Sequence, residues 1–162
     1  MSAMVISWDV PVNSGSAQDA ARITAFQLWE QLLRKAENPV PYVPAITECT
    51  VLERFPGGFN REIIRDGKWV FQRVEIDPGK SIVYHQPGDL EVESIVNQVG
   101  RDDHGGPTLT ISVNLAPEGI EKVIRESRFL EAADAYFTDA LRAVVDEIRT
   151  TVGELAGQPV AA

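Results

Sequence analysis

Between residues 47 and 115, turn-forming residues recur at short, nearly even intervals. This constrains the fold more than any other feature of the chain. Pro56-Gly57-Gly58, Asp66-Gly67, Asp77-Pro78-Gly79, Pro87-Gly88-Asp89 and the stretch from Asp102 to Pro107 separate strand-like runs at 47–55, 59–65, 68–77, 80–86, 91–101 and 108–115. Short hairpins join antiparallel strands; a parallel neighbour needs a long crossover. In the last run Leu109, Ile111, Val113 and Leu115 alternate with Thr108, Thr110, Ser112 and Asn114. This period of two predicts a meander with one buried face and one wet face.

Other elements flank the meander. Residues 4–13 alternate as well, with Met4, Ile6, Trp8, Val10 and Val12 on the apolar side, and Pro11 makes this an edge strand or its end. Thr24 and Gln27 have the spacing of a capping box, and Ile23 and Leu28 that of a hydrophobic staple. Ala25, Leu28, Trp29, Leu32 and Ala36 then share one helical face up to Asn38-Pro39. After the meander, Val123, Leu130, Ala133, Phe137, Leu141, Val144, Ile148 and Leu155 form a single stripe. It predicts a long amphipathic helix from about 120 or 126 to about 155, with a frayed tail over 157–162.

Charge and cysteine content narrow the function classes. Acidic residues outnumber basic ones 24 to 15, for a net charge of −9. That balance disfavours a nucleic-acid partner and a polybasic membrane anchor. No run approaches the length of a membrane span, and the first twenty residues hold no Lys or Arg. Cys49 is the single cysteine, so no intrachain disulfide can form. A cytoplasmic protein is the expectation.

The element order is strand, helix, six-strand meander, long helix. A seven-stranded antiparallel sheet must cover its apolar face, and the last helix carries the one long stripe able to do so. This predicts an α+β, helix-grip architecture over residues 1–156 as a single domain. Ile23 to Leu32, Asn38 to Ile46, Cys49 to Arg54, Phe59-Asn60-Arg61-Glu62-Ile63 and Asn97 resemble the AtaL-like branch of the START-type (SRPBCC) superfamily. The resemblance covers most of residues 4–150. It implies a deep cavity between sheet and last helix that takes an apolar or amphipathic small molecule; some superfamily members are polyketide cyclases or aromatases. The branch brings no settled reaction with it. The closing strand is wholly aliphatic, where the superfamily pattern leads one to expect an aromatic or two.

Candidate site residues follow from which side chains can face that cavity. Glu93 and Asn97 share a face with Ile95 and Val99, and a buried carboxylate there would suit proton transfer. The opposite face, Val92 to Gln98, is almost as apolar, so the register stays open. Arg61 and Glu62 must point to opposite faces, as must Gln72 and Arg73. Glu62 and Gln72 are expected inward, in company with Ile64, Val70, Val74 and Ile76. Tyr84 would place a phenol at the cavity wall. On the last helix Ala133, Phe137, Ala140 and Leu141 face the sheet, with Tyr136 at the rim; small residues there either allow close packing or leave room for a ligand. Glu126 and Asp134 lie on or beside the stripe, as cavity-mouth acids or as ordinary helix acids.

The catalytic candidates are therefore Glu62, Glu93 and Tyr84, and the ligand contacts Gln72, Asn97, Ala133, Tyr136, Phe137, Ala140 and Leu141. No metal is expected. His104 follows Asp102 and Asp103 on one turn, which supplies no preorganised ligand set. His85 reads as a rim residue or the partner of an acid on a neighbouring strand, and Cys49 as a small strand hydrophobe. No phosphate loop or other cofactor motif occurs, and no cofactor is expected. Three functions fit: an enzyme that steers cyclisation of a polyketide-like substrate, a carrier or sensor for the same kind of ligand, or an interaction module with a filled interior. For the last, Trp8, Trp69 and Phe71, if outward, would form a partner patch or a homodimer interface.

Overall fold

The computed structural model describes residues 4–13 and 23–125, and beyond them Ala143, Asp146, Glu147 and Thr150, all helical. The elements are β1 (Val5–Pro11), α1 (Ala25–Glu37), β2 (Ile46–Phe55), β3 (Gly58–Arg65), β4 (Lys68–Asp77), β5 (Ser81–His85), β6 (Val92–Arg101), β7 (Pro107–Leu115) and α2 (Pro117–Arg125). The strands form one antiparallel sheet in the order β1-β7-β6-β5-β4-β3-β2. This is the expected helix-grip arrangement. β1 pairs with the last strand of the meander, so its Pro11 stands at an edge, opposite Thr108.

Local chemistry explains the borders. In the β3–β4 hairpin Arg65 pairs with Lys68, and both residues between them, Asp66 and Gly67, have positive φ. That is the two-residue turn whose twist matches the flanking strands, and Asp-Gly is among its preferred sequences. α1 starts at the capping box: Thr24 Oγ1 accepts from the Gln27 amide at 3.1 Å, and Gln27 Oε1 from the Thr24 amide at 2.9 Å. Asn13 closes a two-way bond with the backbone of Ile23, at 2.9 and 2.8 Å, and ties the end of β1 to the start of α1.

The C-terminus of α1 is equally well satisfied. A helix leaves its last four carbonyls without an internal partner. Here the Asn38 amide donates to Arg34 O, Arg61 Nη1 to Lys35 O and Ala36 O, and Cys49 Sγ to Glu37 O. Arg54 adds a bidentate pair to the Glu37 carboxylate at 2.7 Å. The end of α1 is thereby fixed onto β2 and β3.

α2 begins at Pro117, earlier than the stripe alone predicts. Proline suits a first helical position, because its missing N–H would have no partner there anyway. The Ala116 amide donates to Glu91 O at 2.8 Å, and a Cβ on Gly119 would lie 2.1 Å from that same oxygen. Only glycine lets the helix start this close to β6. The expected run of the last helix to about 155 falls mostly outside the described residues, as does the tail at 157–162. No helix of the described residues is long and apolar enough to cross a membrane. The core joins Leu28, Leu32 and Ala36 of α1 to Val74, Ile82, Tyr84, Leu109 and Val113 on the inner sheet face.

Candidate functional site

The inner face of the sheet is not uniformly apolar. On β3 the buried residues are Phe59, Arg61 and Ile63; on β4 Gln72 and Val74; on β5 Ile82 and Tyr84, with Gln86 just beyond; on β6 Asn97. Arg61 is the register partner of Gln72, Tyr84 lies between Val74 and Ile95, and Asn97 is opposite Ile82. α1 adds Lys35, one helical turn past Gln31 on the buried side. The result is a polar cluster set in aliphatic surroundings.

Lys35 and Arg61 are 6% and 3% exposed. Lys35 Nζ donates to Asn97 Oδ1 and lies 5.1 Å from the centroid of the Tyr84 ring. The Arg61 guanidinium is 4.5 Å from the same ring. Its Nε donates to Gln72 Oε1 at 2.8 Å. Among the described residues no carboxylate pairs with either cation. The Arg61 charge is met by helix-end carbonyls, where the helix dipole is negative, and by the π face of Tyr84. Burial, and then the charges of Arg61 and Arg65, bring the Lys35 amine down from 10.5 to about 7. Burial pushes the Tyr84 phenol up to about 12, against the pull of Arg61. Tyr84 Oη has no hydrogen-bond partner among the described residues.

A chain of amides leads from this cluster to the surface. Gln72 Nε2 donates to Gln86 Oε1 at 2.8 Å, and Gln86 Nε2 donates to Asp89 Oδ2 at 3.0 Å. The direction is forced. Arg61 can only donate and the Asp89 carboxylate can only accept, so each amide between them has one possible orientation. Gln86 and Asp89 open onto a surface cleft of about 380 Å³ together with His85, Glu93 and Pro117.

Two expectations about carboxylates are corrected. Glu62 does not face inward; it is half-buried opposite Phe71 on the outer face, and Arg61 takes the inner position. Gln72 is inward and its register partner is Arg61, so Glu62 and Gln72 cannot share a face. Glu93 is exposed and lines the surface cleft. Its strand carries a register shift between Val92 and Ser94, so the alternation that would have turned Glu93 inward breaks there. Asn97 and Tyr84 are both inside, within the cluster just described. Ala133, Tyr136, Phe137, Ala140, Leu141, Glu126 and Asp134 lie outside the described residues.

The remaining candidates have structural employment. Asp102 Oδ1 accepts from the amides of His104 and Gly106, at 2.9 and 2.8 Å, which makes it a turn former. No group of three or more metal-ligating side chains gathers among the described residues. His85 Nε2 lies 3.4 Å from Glu75 on the outer face. Trp69 is 68% exposed and Phe71 also faces out, whereas Trp8 packs against the core.

Sequence reasoning missed Lys35, Arg61 and Gln86. A signal existed for the first two. Lys35 falls on the stripe of Leu28 and Leu32, where a lysine is out of place, and Arg61 is flanked at two-residue spacing by Phe59 and Ile63.

No curated protein matches the sequence. Solved structures resemble its fold at low identity. The Zhui aromatase/cyclase from Streptomyces sp. R1128 is 16% identical, over 98% of this chain and 100% of that one, with a TM-score of 0.67. The di-domain ARO/CYC StfQ from the steffimycin biosynthetic pathway is 15% identical over 95% of this chain, with a TM-score of 0.64; the match spans 53% of StfQ, about half its length. Ara h 8.0201 is 14% identical, over 94% and 99% of the two chains, with a TM-score of 0.53. The family model described as "Acetylaranotin biosynthesis cluster protein L" (AtaL) matches residues 6–154. With nearly its whole length inside that match, this chain belongs to the AtaL family.

Proposed function

We propose that the protein binds an oxygen-rich, amphipathic small molecule of polyketide type against the inner face of the sheet, with an acceptor oxygen turned toward Tyr84, Lys35 and Arg61. The observation that carries this reading is the buried Tyr84 hydroxyl with no partner among the described residues. Such an orphan costs about 1–3 kcal/mol, and a ligand oxygen within reach would remove that cost. The Arg61 cation, with the N–H and O–H donors of Lys35 and Tyr84 beside it, favours an oxygen that bears or develops negative charge, such as an enolate, phenolate or carboxylate. Val74, Ile82 and Ile95 around them suit a ring or a hydrocarbon stretch. The fold shared with two aromatase/cyclases supports a cyclase-like role, in which the site holds a poly-carbonyl chain in a reactive conformer and stabilises its enolate. A carrier would use the same contacts without turnover.

The test is a titration of the protein with a hydroxylated anthraquinone and, in parallel, with a saturated fatty alcohol of similar size, read by tryptophan fluorescence. The anthraquinone should bind more tightly, and Tyr84→Phe should weaken it by about 5–10-fold, the worth of one hydrogen bond. Equal binding of both ligands by both proteins would overturn the reading. Conversion of a poly-β-ketone thioester mimic then separates cyclase from carrier. Exposed Trp69 and Phe71 favour a second reading, a homodimer through the outer face of β4. Sedimentation of the protein and of Trp69→Ser decides it.

A further inference from the structure

Lys35 is the only lysine among the described residues that is buried; Lys68 and Lys80 are exposed and Lys122 pairs with Glu91. Its surroundings are those of a reactive amine rather than of a structural cation. The groups that face it are Arg61, Arg65, Tyr84 and Asn97. Two are positively charged, one is a phenol and one is a neutral amide; among the described residues no carboxylate pairs with Lys35 to hold the ammonium form. Asn97 Oδ1 takes one N–H and so orients the nitrogen, while the neighbouring phenol has a hydroxyl with nothing bound to it among the described residues. An amine of this kind, desolvated beside other cations, is a nucleophile toward carbonyl carbon. Burial and the neighbouring arginines favour its unprotonated, nucleophilic form.

We infer that Lys35 forms an imine with a ketone carbonyl of the bound ligand, and that the ligand class is a β-dicarbonyl compound. This rests on the proposed function and deepens it. The Lys35 nitrogen lone pair forms a bond to the carbonyl carbon, and the carbonyl π pair moves to oxygen, which takes a proton from Tyr84 Oη, the hydroxyl of the ring that lies 5.1 Å from Lys35 Nζ. The phenolate takes the extra proton from nitrogen, which gives the carbinolamine and restores the phenol. The phenol then protonates the hydroxyl, which leaves as water as the nitrogen lone pair closes the C=N bond, and the iminium proton returns to the phenolate. Amine and ketone become imine and water with no oxidant or reductant. With a second carbonyl in the β position, the imine rearranges to an enaminone, whose nucleophilic carbon is the one needed for ring closure.

The experiment uses the intact protein and acetylacetone at neutral pH. Expected is a mass gain equal to the dione less one water, a new near-ultraviolet absorbance from the enaminone, and peptide mapping that places the adduct on Lys35. Lys35→Arg should abolish it, and Tyr84→Phe should slow its formation while leaving the final yield. Lys35→Met serves as a second variant if the arginine does not fold. No adduct, or one spread over Lys68, Lys80 and Lys122, overturns the inference. Anthraquinone binding measured on the same preparation separates the two claims: binding without an adduct leaves the function standing and removes the imine, while loss of both removes the function as well.

Discussion

The clearest physical consequence of this interior is a pH-dependent stability, which Lys35→Met isolates. The amine falls from 10.5 to about 7 on folding. At about 1.36 kcal/mol for each pKa unit, burial of the ammonium costs about 5 kcal/mol below pH 7. The sign is that of a cation whose folded pKa is depressed. Below pH 7 both folded and unfolded chains hold the proton, and the full cost is present. From about pH 7 to 10.5 the unfolded chain keeps a proton that the folded chain has released, so stability rises with pH. Above 10.5 the cost is gone. Lys35→Met removes the charge but leaves the Asn97 acceptor without its donor, a loss of about 1–3 kcal/mol. The variant should therefore be more stable than the parent by about 2–4 kcal/mol near pH 6, and level with it or slightly weaker near pH 10. Urea unfolding followed by tryptophan fluorescence measures both. The double variant Lys35→Met, Asn97→Leu, with no orphaned acceptor, should recover more of the full difference at pH 6. A stability difference between Lys35→Met and the parent that stays constant from about pH 6 to 10 refutes the reasoning.

Other perturbations follow from single contacts. Gly119→Ala forces a methyl against the Glu91 carbonyl and should cost about 1–3 kcal/mol or more in denaturant unfolding. Gly67→Ala places a side chain at positive φ in the β3–β4 turn, and a loss of about 1 kcal/mol should appear as a lower Tm. Arg61→Met leaves the carbonyl end of α1 and Gln72 Oε1 without their donor; relief of the buried charge offsets part of the loss, and a net drop of about 2–4 kcal/mol is expected by urea unfolding. Asp89→Ala frees the amides of Glu91 and Val92 and the end of the glutamine chain, so hydrogen exchange should speed up at the β5–β6 connection before it does at β7.

The amino-acid sequence alone determined the strands, the hairpins, the capping box of α1 and the order that makes a helix-grip fold. Turn chemistry and side-chain period act over a few residues, so Asp66-Gly67 or Thr24 through Gln27 carry their instruction locally. Only the tertiary structure decided which polar side chains lie inside. A strand's faces swap with a one-residue shift, and the adjacent Ile63 and Ile64 fit either choice, so nothing local chose Arg61 over Glu62. The register shift at Val92–Ser94 moved Glu93 out of the series that Asn97 stays in. Lys35, Arg61, Tyr84 and Asn97 stand on four different elements, and it was the docking of the α1 carboxyl end on β2 and β3 that brought them together. A buried charge is decided by its neighbours in space, and a linear pattern does not contain them.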